Sequence, residues 1–255
     1  ATTEIYTLSL HDALPIYTQS SPESDGFFRS ALAFGGYSGY AAIILFIIGG
    51  VWLGGMLPPL LNASDSPAQA VAKVSDNLLA IQIGSIFLIA SFALFGSFGA
   101  GMAMQVRRYE TTPGWSYIQL IFTAAGTTLA LLVAFAWALM VFRPETYHPS
   151  IVLMFADLAY FIALFSVPVF GGWCVMVALS IFFAEEGNEP FPRWAGYLNL
   201  WMVLLFAPGQ MIMWFKEGPF AWHGLIAMYL PFIAFFIWIG VMSHLMIKIA
   251  KEESK

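Results

Sequence analysis

Six apolar runs, each long enough to cross a bilayer, constrain this chain more than any other feature. They lie at about 37–57, 78–104, 115–142, 150–183, 193–214 and 220–249. A helix needs about 20 apolar residues to cross a hydrocarbon core. In lipid the backbone polar groups of a spanning segment must be satisfied internally, which a helix does by itself. The expected fold is therefore all-α: an integral membrane helical bundle of about six transmembrane helices. One transmembrane domain over 37–249 accounts for them, followed by a charged tail at 250–255. Composition agrees. Apolar residues make up 60% of the chain, charged residues only 10%, and mean hydropathy is +0.78. Soluble domains carry about a quarter charged residues, so there is too little charge here to solvate a globular surface. The 24 Phe, 9 Trp and 10 Tyr suit packed helices with aromatic belts at the interfaces.

The N-terminus reads differently. Residues 4–16, EIYTLSLHDALPI, match the translation of a short-read sequencing adapter. Residues 1–16 are accordingly treated as a sequence artefact and kept out of fold reasoning. His11 and Asp12 then carry no functional weight, and the authentic frame is expected to begin near Tyr17. The adapter points to a draft or environmental genome, with a bacterial source. Residues 17–36 are expected to form a polar segment ahead of the bundle, with Phe27 and Phe28 on the membrane surface.

Basic residues set the expected orientation. With the N-terminus inside, the inner segments hold Arg29, Arg107, Arg108, Arg193, Lys248, Lys251 and Lys255. The outer loops hold only Lys73, Arg143 and Lys216. This asymmetry places both termini in the cytoplasm, across a cell membrane of the bacterial inner-membrane type. Asn62-Ala63-Ser64 fits a glycosylation acceptor in an outer loop, a pattern without consequence in most bacteria.

Several spans carry departures from a plain apolar helix. Gly50 and Gly54 have the spacing that lets two helices approach closely, and the second span is rich in small residues from Gly96 to Gly101. These faces are candidate surfaces for homo- or hetero-oligomer contacts, with membrane lipids as the general partner. The fourth span is too long to cross upright and is expected to bend at Pro168 and Gly171-Gly172. Pro208-Gly209 breaks the fifth span near its outer end. Freed carbonyls are tolerated in a membrane only when buried in protein or lining a cavity. Pro168, Pro208 and Gly209 are thus candidate break or gate positions. Pro231 lies inside the sixth span.

Asp157 is the one acid well inside an apolar span. Intramembrane charges are costly and usually face a partner or water. Counted from Ser150, it lies about 10 Å below the outer end of its helix. Gln82, Ser85, Gln210 and Tyr229 fall at similar depth on other spans, and Tyr160 is one turn below on the same face. Two readings stand. Either these groups line an outward-facing pocket for a small or lipidic molecule, or Asp157 is a structural acid, protonated or held by a hydroxyl or amide. No Lys or Arg lies inside a span to neutralise it.

Other chemistry finds no support. His148, His223 and His244 form no pair at ligand spacing, and Cys174 is a single thiol in an apolar run. No metal and no cofactor are expected. Ten basic residues make no nucleic-acid footprint. No nucleophile or acid–base pair marks an enzyme.

The stretch PFPRWAGYLNLWMVLLFAPG, followed by FKEGPFAWHG, runs from Pro190 to Gly224. It resembles a family of uncharacterised bacterial polytopic membrane proteins with a similar FPRWxGYxNxW…GPFAWxG pattern. The resemblance extends over about 37–249 and implies the membrane class without an activity. Two functional classes therefore lead: binding or transport of a small or lipidic molecule near Asp157, and a non-catalytic structural or accessory subunit of a membrane complex.

Overall fold

The structure, a computed structural model, describes residues 22–252. The segment read as an artefact, residues 1–16, and the last tail residues, 253–255, lie outside the described residues. Among the described residues there are helices and no strands. Six helices are long and apolar enough to cross a membrane.

The first is α1, Pro22–Phe46, which continues as a π-helical turn over Ile47–Leu53. It starts some four turns ahead of residue 37, so the described part of the 17–36 segment is helical. The reason is packing: Leu32 on this stretch is fully buried. A short helix, α2 (Pro67–Asp76), follows the first span. Its start is fixed by a capping box: Gln69 N–H bonds the Ser66 hydroxyl, and the Gln69 side chain accepts from Ser66 N–H. Then come α3 (Leu78–Arg108) and α4 (Trp115–Met140).

The long fourth span is two helices, α5 (Pro149–Phe165) and α6 (Val167–Phe182), with the break at Ser166. The expected bend at Pro168 is therefore displaced by two residues. Proline lacks an N–H and its ring clashes with the carbonyl four residues back. An α-helix running through 164–168 would lose the bond to Leu164, so the chain restarts with Pro168 in the first turn of α6, where proline is favoured. Gly171 and Gly172 lie inside α6 and do not bend it.

The fifth span starts as α7 (Arg193–Phe206) and tightens into a 3-10 helix over Ala207–Met213, at the Pro208-Gly209 pair. The sixth begins with a π turn, Leu225–Tyr229, and continues as α8 (Leu230–Glu252) with Pro231 in its first turn.

Neighbours in the bundle form a closed ring. α1 packs on α3 and α8, α3 on α4, α4 on α5 and α6, α6 on α7, and α7 on α8. The six crossings put Pro22 and Glu252 at one end, the terminal end. The loops around 54–77, 141–148 and 214–224 gather at the other, the loop-rich end, where α2 packs against α5. The glycine-rich faces are used inside this ring. A Cβ on Gly35 would lie 3.0 Å from Gly101 Cα, and one on Gly84 would lie 2.6 Å from the Gly49 carbonyl oxygen. Gly50 and Gly54 are buried as well. These residues let α1 and α3 touch backbone to backbone, as small residues do between membrane helices.

Candidate functional site

Two of the helix breaks meet. At the end of α5, the α5–α6 break leaves Leu164 and Phe165 without their usual helical partners. Pro168 has no N–H to give Leu164, and Val169 N–H bonds Ser166 instead of Phe165. The 3-10 turn of the fifth span docks there. Gln210 donates from Nε2 to the Phe165 carbonyl at 2.7 Å. Gly209 sits so close that a Cβ would be 2.5 Å from the Leu164 carbonyl oxygen. Only glycine fits without moving one backbone against the other. Irregular backbone at membrane depth is thus buried in protein, as the absence of water in lipid requires.

Beside the paired breaks lies a cavity of about 70 Å³. Its walls come from all six helices from α3 to α8, and every lining side chain is apolar. Leu164 and Val167 flank the first break, Phe206 precedes the second, and Pro231 opens α8. Volume on this scale exceeds what one water needs, but it is about half the roughly 150 Å³ of a dry apolar cavity that takes benzene, so it has room for a short apolar group.

The cavity has an aromatic roof. Tyr160 is one turn above Leu164 on α5, and Trp137 is one turn above Val133 on α4. Their rings meet edge to face, with centroids 5.4 Å apart. Trp222, from the 214–224 loop, stacks on Tyr160 at 4.1 Å and 15°. Two polar tips of the roof are engaged. The Tyr160 hydroxyl donates to the Met56 carbonyl at 3.1 Å, and Trp137 Nε1 donates to the Gly54 carbonyl at 2.9 Å. The Trp222 indole is an electrostatic neighbour of the Asp157 carboxyl group. Asp157 is half-buried, and Lys216 of the same loop acts on it electrostatically. The intramembrane acid thus has an indole and a loop cation as electrostatic neighbours.

The floor is aromatic too. Phe95 and Phe235, both in the lining, meet edge to face at 5.4 Å. Below them Phe98, Trp173 and Trp238 form a three-ring cluster with centroids 5.3 to 6.0 Å apart. Trp238 Nε1 donates to Asn199 Oδ1 at 2.9 Å.

The residues expected to share one polar pocket are distributed over this assembly. Asp157 and Tyr160 come together at the roof, and Tyr229 is an electrostatic neighbour of Tyr160. Gln210 serves the break. Gln82 is exposed and donates to the Val141 carbonyl at 3.1 Å; Ser85 is buried and donates to its own helix at Ile81, 2.7 Å. Pro168, Pro208 and Gly209 all belong to the two breaks beside the cavity. Trp222 reads from the sequence as an interfacial aromatic beside Trp214 and Phe220 but is 1% exposed, and Trp137 is not distinguished by the sequence. Their signal was weak, because each partner lies far along the chain.

Loop contacts hold the roof from above. His223 Nδ1 accepts from Ala63 N–H at 3.0 Å, and Asp65 is paired with Lys73 at 2.7 Å. Burial holds the affinity of His223 for a proton below its ordinary value; Asp65 and Glu217 oppose that shift and Lys73 adds to it. Among the described residues no group of three His, Cys, Asp or Glu side chains gathers as a metal site would require.

No protein-family model matches the chain, and comparison with curated proteins and with solved structures gave no match.

Proposed function

We propose that this multi-pass membrane protein binds a small apolar or lipidic molecule in the capped cavity between its two helix breaks. The observation that carries the reading is the lining: six helices converge on a void that offers no polar side chain. A polar guest would lose its hydration there without gaining partners, whereas an apolar one gains contact on all sides. The Asp157–Trp222–Tyr160 assembly is the cap of the site. Transport would follow if the cap opens, since Trp222 rides on a loop joined to the 3-10 turn of the break. The asymmetry of basic residues supports an orientation with the loop-rich end outside and both termini in the cytoplasm, in a bacterial inner membrane.

Native mass spectrometry of the protein released from lipid nanodiscs tests this. The wild type is expected to carry an adduct of apolar or lipidic mass. Ala163→Leu and Ala130→Leu, which fill the cavity from two sides, are expected to lose it. An adduct retained by both would contradict the site.

A second reading, an accessory subunit, is supported by one face of α7. Trp194, Tyr197 and Trp201, spaced three and four residues apart, are 53%, 59% and 61% exposed. Trp194 suits an interfacial belt, but Trp201 is about 10 Å deeper along the helix. Aromatic residues at depth on an outer face are typical of an interface core. Release of a second polypeptide with the wild type, and its loss in Trp201→Ala, would favour this reading.

A further inference from the structure

One face of α4 is polar where the rest of the helix is not. Ser116, Gln119, Thr123 and Thr127 follow each other at spacings of three, four and four, which puts them on one side of the helix. That side faces inward: Ser116, Gln119 and Thr123 are 1%, 0% and 2% exposed. α3 adds Gln105 and α6 adds Trp173, both buried. Membrane helices normally quiet such groups at once. Thr128, on the outer side of α4, donates to the Ala124 carbonyl at 2.8 Å. Thr123 and Thr127 do not. Their hydroxyls, both amide atoms of Gln119, Oε1 of Gln105 and Nε1 of Trp173 are buried and find no partner in the protein.

These groups converge. Thr123 Oγ1 and Trp173 Cζ2 lie 2.6 and 2.5 Å from the point a Gly99 Cβ would occupy, and Thr127 Oγ1 lies 3.9 Å from that of Gly96. The stripe therefore runs along a glycine notch of α3. Its mouth, at the terminal end, is polar and partnered: the Ser116 hydroxyl donates to Glu110 at 2.5 Å, and Gln105 Nε2 donates to the Pro190 carbonyl at 2.8 Å. Its inner end, Thr127, is followed by Leu129 and Ala130 in the wall of the apolar cavity.

The chemistry of the unpartnered groups selects what they bind. Gln119 Nε2 and Trp173 Nε1 only donate, the two amide oxygens only accept, and the hydroxyls do both. An anion wants donors alone and a cation wants acceptors alone, so neither matches a mixed, neutral set. The spacing selects size. Steps of three or four residues are about 4.5–6 Å along a helix, close to two hydrogen bonds of about 2.8 Å end to end. At Gly99 the Thr123 and Trp173 side chains fill the space a Cβ would take, so any guest lies along the stripe and not in the notch itself. We propose that this stripe is an internal water-binding site, a short file of waters that enters beside Glu110 and reaches about 16 Å into the bundle. It is independent of the apolar-guest reading, since none of its groups lines the apolar cavity.

X-ray hydroxyl-radical footprinting of the full protein in nanodiscs tests it, because radicals form at bound waters and mark the side chains beside them. Trp173 is 1% exposed and Trp137 is 0% exposed, with the Trp137 N–H bound to a carbonyl. The expected result is oxidation of Trp173 several-fold faster than of Trp137. Equal, slow oxidation of both would overturn the proposal. Thr123→Val and Gln119→Met give a second reading without radicals. If waters bridge these groups, both variants unfold at lower temperature and Trp173 oxidation slows. If the groups are merely orphaned, apolar isosteres raise the unfolding temperature, and that outcome also overturns it.

Discussion

The two halves of the bundle solve the same problem in opposite ways. Near the loop-rich end there is a void, yet the polar groups around it are engaged. Tyr160, Trp137 and Gln210 each reach a carbonyl. Toward the terminal end the helices close on glycine contacts, yet Gln105, Gln119, Thr123, Trp173 and Ser243 keep buried polar atoms without a protein partner. An apolar hole with engaged polar groups beside it favours an apolar guest under the proposed function. A tight seam of unpartnered polar groups favours water under the further proposal. The difference shows that polarity and space are allocated separately in this fold, and that a search for polar pockets alone finds neither site.

The most severe way to break the comparison is to remove the roof. Trp222→Ala deletes a ring that is 1% exposed and stacked on Tyr160. Loss of a buried aromatic of this kind costs about 3–5 kcal/mol. Chemical unfolding in mild detergent measures it, and a loss near zero would show that the loop does not cap the cavity. Next in size is the joint between the breaks. Gln210→Leu leaves the Phe165 carbonyl without its side-chain donor, at a cost of about 1–3 kcal/mol, read by the same titration. Asp157 sharpens the picture by contrast. Asp157→Ala removes the carboxyl group beside the Trp222 indole; a cost above about 1 kcal/mol would show that the two are hydrogen-bonded. Asp157→Asn keeps an acceptor oxygen and should cost less than about 1 kcal/mol. Equal loss in both variants would mean that the charge, rather than the hydrogen bond, matters.

The smallest effect is linked to pH. His223 accepts a hydrogen bond at Nδ1, so its neutral form is the one that fits. Its proton affinity in the fold is held below the ordinary value of 6.5 by burial, with Lys73 adding and Asp65 and Glu217 opposing. The unfolded chain therefore binds this proton first. Stability from neutral His223 is complete above pH 6.5 and falls as pH drops below that value, levelling once the folded state is protonated too. Melting curves of the wild type and His223→Gln should converge as pH falls from 7.5 to about 5, because only the wild type loses this contribution. Parallel curves would remove His223 from the account.

Much of the fold was legible in the sequence because lipid imposes simple demands. Six apolar runs gave six helices, and Pro208-Gly209 marked a real change of helix type. The bend in the fourth span fell at Ser166, since proline disrupts the turn before it while Gly171 and Gly172 serve packing. Residues 22–36 looked polar as a block, but Leu32, Gly35 and Gly36 are buried and pack this stretch of α1 into the bundle. The cavity was illegible because its lining is drawn from six separate helices, each contributing ordinary apolar residues. Asp157 stands out in the sequence as an intramembrane acid, yet its neighbour Trp222 is 65 residues away and no local pattern joins them. The α4 stripe did have a local signal, the three-four-four spacing of Ser116, Gln119, Thr123 and Thr127. Threonines that could bond their own helix hid it.

The central claim is that the void beside the helix breaks holds an apolar guest, and one measurement addresses it most directly. Native mass spectra of the wild type and Ala163→Leu, released from the same nanodiscs, should differ by one adduct of apolar or lipidic mass, present in the first and missing from the second. Identical spectra, from a variant that still unfolds cooperatively, would contradict the claim.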